Sequence, residues 1–149
     1  FGKIIKLDFK IMINKPFLTP LNIIENPKGK IKHGLKCVDD GFSKFGEAYF
    51  TEIHQDVIKG WKKHTKMTLN LIVPMGNVIF FVHDETLPSC KSFTIGDASY
   101  KRLTIPPNYW VAFKGLSKKN LILNIANIPH DPLESVTVDL NHFKEILLW

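Results

Sequence analysis

One short stretch carries most of the chemistry available to this sequence: Ile58-Lys59-Gly60-Trp61-Lys62-Lys63-His64-Thr65-Lys66-Met67-Thr68. An imidazole titrates near neutrality, so His64 is suited to taking and giving protons. The lysines around it hold anions. Lys62 could itself act as a base only if burial stripped its ammonium of water, because the usual lysine pKa of ~10.4 keeps the group protonated at neutral pH. Gly60 permits a sharp bend or a close approach of another backbone. If the residues beyond it are extended, side chains alternate between two faces. Lys62, His64, Lys66, Thr68 and Asn70 then share one face, and Lys63, Thr65, Met67, Leu69, Leu71 and Val73 share the other. The second set becomes apolar from Met67 and reads as core. The first stays polar, which fits either a solvent-facing strand or the wall of a polar pocket.

A second polar intrusion lies in Asn120–Asn127, where Asn124 shares a face with Ile122 and Ala126. An amide amid that much hydrocarbon needs hydrogen-bond partners, whether it lines a pocket or only ties strands together. Metal chemistry is not expected. A metal-binding barrel would offer a His-x-His pair, a carboxylate and a later histidine, but Lys62 occupies the first position of that pair. The remaining histidines (His33, His54, His83, His130, His142) show no ligand spacing, and no cofactor motif appears. A Gly-rich phosphate loop, a nucleophile elbow and a paired-carboxylate signature are all missing, which excludes the common nucleotide-hydrolysing and serine-hydrolase readings.

The elements that must position these groups read as strands. Breakers punctuate short apolar runs throughout: Asn26-Pro27-Lys28-Gly29, Asp39-Asp40-Gly41, Met75-Gly76-Asn77, Pro106-Pro107-Asn108 and Ser117-Lys118-Lys119. Between them lie Glu47–His54, Met67–Pro74, Asn77–His83, Lys101–Ile105, Tyr109–Lys114, Asn120–Asn127 and Ser135–Leu140. Met67–Pro74 and Asn77–His83 read as the clearest hairpin. The tight Pro-Pro-Asn connection makes its flanking strands antiparallel neighbours. Helix is confined to a turn near Asp39–Phe45 and a C-terminal piece. About eight to nine main strands in one domain spanning 1–149 give an all-β jelly roll or barrel, with residues 1–15 as an N-terminal extension.

Hydrophobic residues make up 44% of the chain, enough for a full core, and Phe occurs 11 times, favouring strands. The formal charge of +6 favours an anionic partner, and phosphate-bearing small molecules fit better than nucleic acid because no reader helix or stacking motif accompanies the charge. Cys37 and Cys90 read as free thiols. No apolar run reaches the ~20 residues of a membrane span, and no signal peptide is recognisable, so a cytoplasmic location is expected.

From Gly46 to Trp149 the chain resembles the dTDP-4-dehydrorhamnose 3,5-epimerase-like sugar-nucleotide cupins. The resemblance rests on Gly46-Glu47-Ala48-Tyr49-Phe50, Lys59-Gly60-Trp61, the turn at Pro74-Met75-Gly76, Ile105-Pro106-Pro107-Asn108 and Pro129-His130-Asp131-Pro132, in that order and spacing. It implies a homodimeric, metal-free cupin-type jelly-roll barrel whose mouth binds a nucleoside-diphosphate sugar for cell-surface polysaccharide synthesis. In that family an Arg-Gly-x-His motif supplies a cation for the diphosphate and a base for the carbon beside a sugar ketone. Lys59 matches the cation, and Lys62 stands where the catalytic histidine is expected. The opposing tyrosine falls near Asn124, and a histidine expected after the Pro-Pro turn falls near Val111. The related nucleotide-sugar 3,4-ketoisomerases carry Arg-Gly-x-His-x-His and a tyrosine on the preceding strand. There His64 matches the second histidine and Tyr49 the tyrosine.

The catalytic candidates are therefore His64, Lys62 and Tyr49. Lys59 is a substrate contact by the resemblance, and Asn70 and Asn124 are substrate contacts by their places in polar positions of the strands. The activity implied is epimerisation or isomerisation of a nucleotide-linked 4-keto-6-deoxy sugar. The alternative is a barrel without catalysis that binds a nucleotide sugar or another small anion.

Overall fold

Proline, glycine and asparagine interrupt the β-branched and aromatic runs so often that, among the described residues, helix is limited to two short 3-10 turns. The computed structural model describes residues 14–146. Of the N-terminal extension expected over residues 1–15, residues 1–13 lie outside the described part. The strands are β1 (Phe17–Pro20), β2 (Ile23–Ile24), β3 (Ile31–Lys32), β4 (Glu47–His54), β5 (Ile58–His64) and β6 (Leu69–Met75). They continue as β7 (Asn77–His83), β8 (Cys90–Gly96), β9 (Lys101–Ile105), β10 (Trp110–Gly115), β11 (Lys119–Ala126) and β12 (Ser135–Thr137). The 3-10 turns, Pro132–Glu134 and Leu140–Phe143, flank β12.

Two five-stranded sheets face each other, one in the order β1-β9-β6-β11-β4 and the other β12-β5-β10-β7-β8. From β4 onward the chain changes sheet at every connection except β7 to β8. That alternation makes a jelly-roll barrel of the cupin type. It also corrects the expected hairpin. Met67–Pro74 and Asn77–His83 do not pair: β6 pairs with β9 and β11, whereas β7 pairs with β10 and β8. Met75-Gly76-Asn77 is a corner between sheets. Gly76 has φ +81°, and a Cβ there would stand 2.2 Å from the Lys119 carbonyl oxygen. Asn120 fixes the corner by accepting from the Asn77 N–H at 3.1 Å and donating to the Ile53 carbonyl at 3.0 Å. Pro106-Pro107-Asn108 likewise joins β9 and β10 across the barrel, so these strands are not paired neighbours.

The barrel interior is filled by alternate residues of both sheets, among them Ile53, Met67, Leu71, Val73, Val78, Phe80, Ile95 and Leu103. A second cluster of Trp61, Phe81, Trp110 and Ala112 lies on the outer side of β5, β7 and β10 under Phe143. On the other sheet, Arg102 is fully buried and donates to the carbonyls of Gly34 and Asp40 and to Asp39. It clamps the 34–41 segment over β6 and β9, and this covering explains why β6 is buried on both faces. The expected helical turn over Asp39–Phe45 is an irregular turn instead. Cys37 and Cys90 are free thiols.

Candidate active site

At one end the interior is not filled. A cavity of about 310 Å³ opens there, with an apolar floor of Leu69, Leu71, Phe80, Phe113 and Ile122. Polar groups ring it from two sides. β5 and β12 contribute Lys59, Lys62, His64 and Thr137, while β4 and β11 contribute Tyr49, Thr51 and Asn124. Five of the six residues expected at the site, Lys59, Lys62, His64, Tyr49 and Asn124, therefore line one cavity.

The β5 wall depends on Gly60. Its φ is +139°, and a Cβ would lie 2.6 Å from the Cα of Ala112, so a glycine lets β5 close onto β10. Trp61 then points outward into the second cluster and is fully buried. Lys63 also points outward, to Glu85 at 3.0 Å and over the Trp110 ring. Lys62 and His64 point inward.

His64 has a carboxylate partner. Its Nδ1 is hydrogen-bonded to Glu134 Oε1. Glu134 is 3% exposed, and its Oε2 accepts from the backbone N–H of Lys66 at 3.1 Å and of Met67 at 3.2 Å. Its carbonyl accepts from the Thr65 N–H at 2.8 Å and from the Thr65 hydroxyl at 2.7 Å. Burial pushes the Glu134 carboxyl up, but the bonds from His64, Lys66 and Met67 together outweigh it and hold its pKa below the ordinary carboxylate value. A carboxylate on Nδ1 fixes the ring's tautomer and orientation and leaves Nε2 for the cavity, the arrangement of a polarised general base. Glu134 is the functional residue that the sequence reading missed. It lies 70 positions from His64, in the turn opened by Pro132, just past the Pro129–Pro132 segment that carries the family resemblance.

Across the cavity, Asn124 is 1% exposed and donates from Nδ2 to the Tyr49 hydroxyl at 3.0 Å, while its Oδ1 accepts from the Asn70 N–H at 3.1 Å. Tyr49 and Asn124 are direct register partners on β4 and β11. The amide thus anchors the phenol at the cavity, and its own hydrogen bonds satisfy the burial cost. Lys59 donates to the Glu52 carbonyl at 3.2 Å and is otherwise exposed at the mouth. Lys62 is exposed to the cavity, so it lacks the burial that base chemistry requires of a lysine. Val111 also lines the cavity, so the wall position after the Pro-Pro turn is apolar here.

Asn70 is the exception. The residues between β5 and β6 bend around Glu134 and shift the alternation by one, so Leu69 and Leu71, not Asn70, follow His64 into the cavity. Asn70 faces the outer side, accepts from the Thr104 hydroxyl at 2.7 Å and donates to the Gly41 carbonyl at 3.1 Å. Its side chain is a structural tie between β6, β9 and the 34–41 segment. Among the described residues no group of three or more His, Cys, Asp or Glu side chains could hold a metal ion.

No protein-family model matches the chain, and no curated protein gives a significant match. Solved structures do. A dTDP sugar isomerase from Desulfovibrio desulfuricans G20 is 30% identical over 90% of this chain and 88% of its own, with a TM-score of 0.80. A 3,4-ketoisomerase from Thermoanaerobacterium thermosaccharolyticum, solved with TDP-4-keto-6-deoxyglucose, is 18% identical over 89% of this chain and 94% of its own, with a TM-score of 0.73. A 3'-monoepimerase from Streptomyces bikiniensis, solved with dTDP-quinovose, shares the fold at 10% identity and a TM-score of 0.78, over 90% of this chain and 74% of its own.

Proposed function

This chain belongs to the sugar-nucleotide cupins that include dTDP-sugar isomerases and dTDP-4-dehydrorhamnose 3,5-epimerases, and we propose that it isomerises or epimerises a nucleotide-linked 4-keto-6-deoxy sugar. The observation that carries this reading is the His64–Glu134 pair at the edge of a cavity with an apolar floor and a polar rim. Both reaction classes begin with loss of a proton from carbon beside a ketone. His64 Nε2 takes that proton, and the Glu134 carboxylate steadies the imidazolium that forms. Tyr49, held by Asn124 on the other sheet, returns a proton from the opposite wall. The apolar floor takes the sugar's methyl group, and Lys59 at the mouth meets the diphosphate. A carboxylate aimed at a cavity imidazole is the pairing that proton transfer needs, and it favours the enzyme over the inert binder.

Thermal melting with dTDP, UDP, GDP and CDP tests the ligand class. At ~100 times its dissociation constant a true ligand adds about 2.7 kcal/mol to the folded state, so one of the four should raise Tm clearly. If none does, the sugar-nucleotide reading fails.

The family further supports a homodimer acting in cell-surface polysaccharide synthesis in the cytoplasm. Among the described residues no helix is long and apolar enough to cross a membrane. For the dimer there is also a surface. On the outer side of β4, β11 and β6, Phe50 is 65% exposed and Met75 52% exposed, beside half-buried Leu121 and Leu123. Such a patch on the outermost strand of a sheet calls for a partner. Light scattering at micromolar concentration should give twice the chain mass, and Phe50→Glu should halve it. A monomeric wild type contradicts this part.

A further inference from the structure

One charged group of the cavity has no task in that proton transfer. Lys62 precedes His64 by two residues on β5 and faces inward with its register partners Val111 and Thr137, both of which line the cavity. Among the described residues, no hydrogen bond or ion pair engages its ammonium. The neighbouring cations are occupied differently: Lys63 sits on Glu85 outside the barrel, and Lys59 on the Glu52 carbonyl at the mouth. Among the described residues no carboxylate lines the cavity, and Glu134 is committed to His64 and the backbone beside it. Lys59 and Lys62 stand opposite Phe113 and Val111, two positions apart on β10, so with Lys59 on the diphosphate Lys62 is left to another part of the ligand.

Resting on the proton-transfer reading, we propose that Lys62 is a catalytic residue, the cation that stabilises the oxyanion formed when His64 removes the proton. In that step the C–H bond breaks and its proton goes to His64 Nε2. The electron pair forms a carbon–carbon double bond, and the carbonyl π pair moves onto oxygen, where the Lys62 ammonium donates a hydrogen bond. Reprotonation at carbon reverses the shift and restores a ketone, so the step needs no oxidant or reductant. An ammonium in contact with water is poorly placed as a base but well placed as an electrophile. Over a floor of Leu69, Leu71 and Ile122 its charge gains strength once a ligand displaces that water. The assignment also explains how the site works with a lysine where the family has a histidine: proton transfer falls to His64, and Lys62 supplies the charge.

The test uses Lys62→Met, which keeps the length and loses the charge, and Lys62→Arg, which keeps the charge. Two quantities are read: solvent deuterium incorporation into TDP-4-keto-6-deoxyglucose at saturation, and the Kd for TDP, which has no ketone. Lys62→Met should lower exchange by roughly 10²–10³-fold. Its TDP affinity should stay within about 3-fold of wild type, a loss confined to the transition state. The remaining exchange should keep its dependence on pH, because His64 is still the base, and Lys62→Arg should recover at least about a tenth of the lost rate. TDP affinity falling in step with exchange would make Lys62 a diphosphate contact and overturn the proposal. Unchanged exchange in Lys62→Met, or loss of its pH dependence, overturns it as well. A wild type that exchanges nothing marks failure of the proton-transfer reading itself, and the role of Lys62 falls with it.

Discussion

His64→Ala should slow solvent deuterium exchange into a 4-keto-sugar nucleotide by roughly 10²–10⁴-fold while leaving diphosphate binding largely intact. The imidazole lies on the cavity wall, 11% exposed in its side chain, and its Nδ1 is committed to Glu134. It carries no structural load apart from that bond, so the fold should tolerate its loss and the defect should sit in the rate at saturation. A neutral isostere sharpens the result. His64→Gln can still accept and donate hydrogen bonds but cannot shuttle a proton, and it should be as slow as His64→Ala. If either variant kept more than about a tenth of the wild-type rate, the base would have to be another group.

Glu134 should cost both activity and stability when changed, and two variants separate the effects. Glu134→Ala removes a buried carboxylate that three hydrogen bonds converge on and leaves the bend after β5 without its acceptor. Breaking such an arrangement costs about 3 kcal/mol, or roughly 6–12 °C in Tm for a chain of this size. Glu134→Gln keeps an acceptor for the backbone but not the charge. It should melt nearer to wild type and still exchange slowly, because the ring loses the carboxylate that orients it and steadies its cation.

The pH dependence has a definite sign. The folded-state pKa of Glu134 lies below its ordinary value, so the folded protein takes up this proton less readily than the unfolded chain. The stabilisation is fully present above the ordinary carboxylate range, about pH 4.3, and fades as the pH falls through the folded value. Wild type should therefore lose more stability on acidification than Glu134→Gln does. Parallel curves for the two would contradict the pairing.

Most strands are legible in the sequence because β-branched and aromatic runs between turn residues leave little choice. Glu47–His54, Asn77–His83 and Lys101–Ile105 match β4, β7 and β9 residue for residue. Partners are less legible. Met75-Gly76-Asn77 has the composition of a hairpin turn, yet Gly76 lies so close to the Lys119 carbonyl that it serves a corner between sheets. Composition alone does not distinguish the two.

The same limit applies at the site. Alternation along β5 puts Lys62 and His64 correctly on one face and would carry Asn70 with them. The bend pinned by Glu134 shifts the register, which no local pattern records. Tyr49 and Asn124 enter the sequence reading as separate candidates, and only pairing of β4 with β11 shows that one holds the other. Glu134 is invisible from the His64 segment because the two meet only in the tertiary structure, where Ser135 pairs with His64.

The central claim is that this cavity takes a proton from carbon beside a sugar ketone. Incubating the wild-type chain with TDP-4-keto-6-deoxyglucose in deuterium oxide and following the ring protons by NMR tests it directly, because exchange reports the proton transfer even when no net product accumulates. The account predicts loss of the proton signal at a carbon adjacent to the ketone within minutes at micromolar protein, and retention of that signal with His64→Ala over the same time. Binding of the keto sugar with no deuterium incorporated over hours would contradict it.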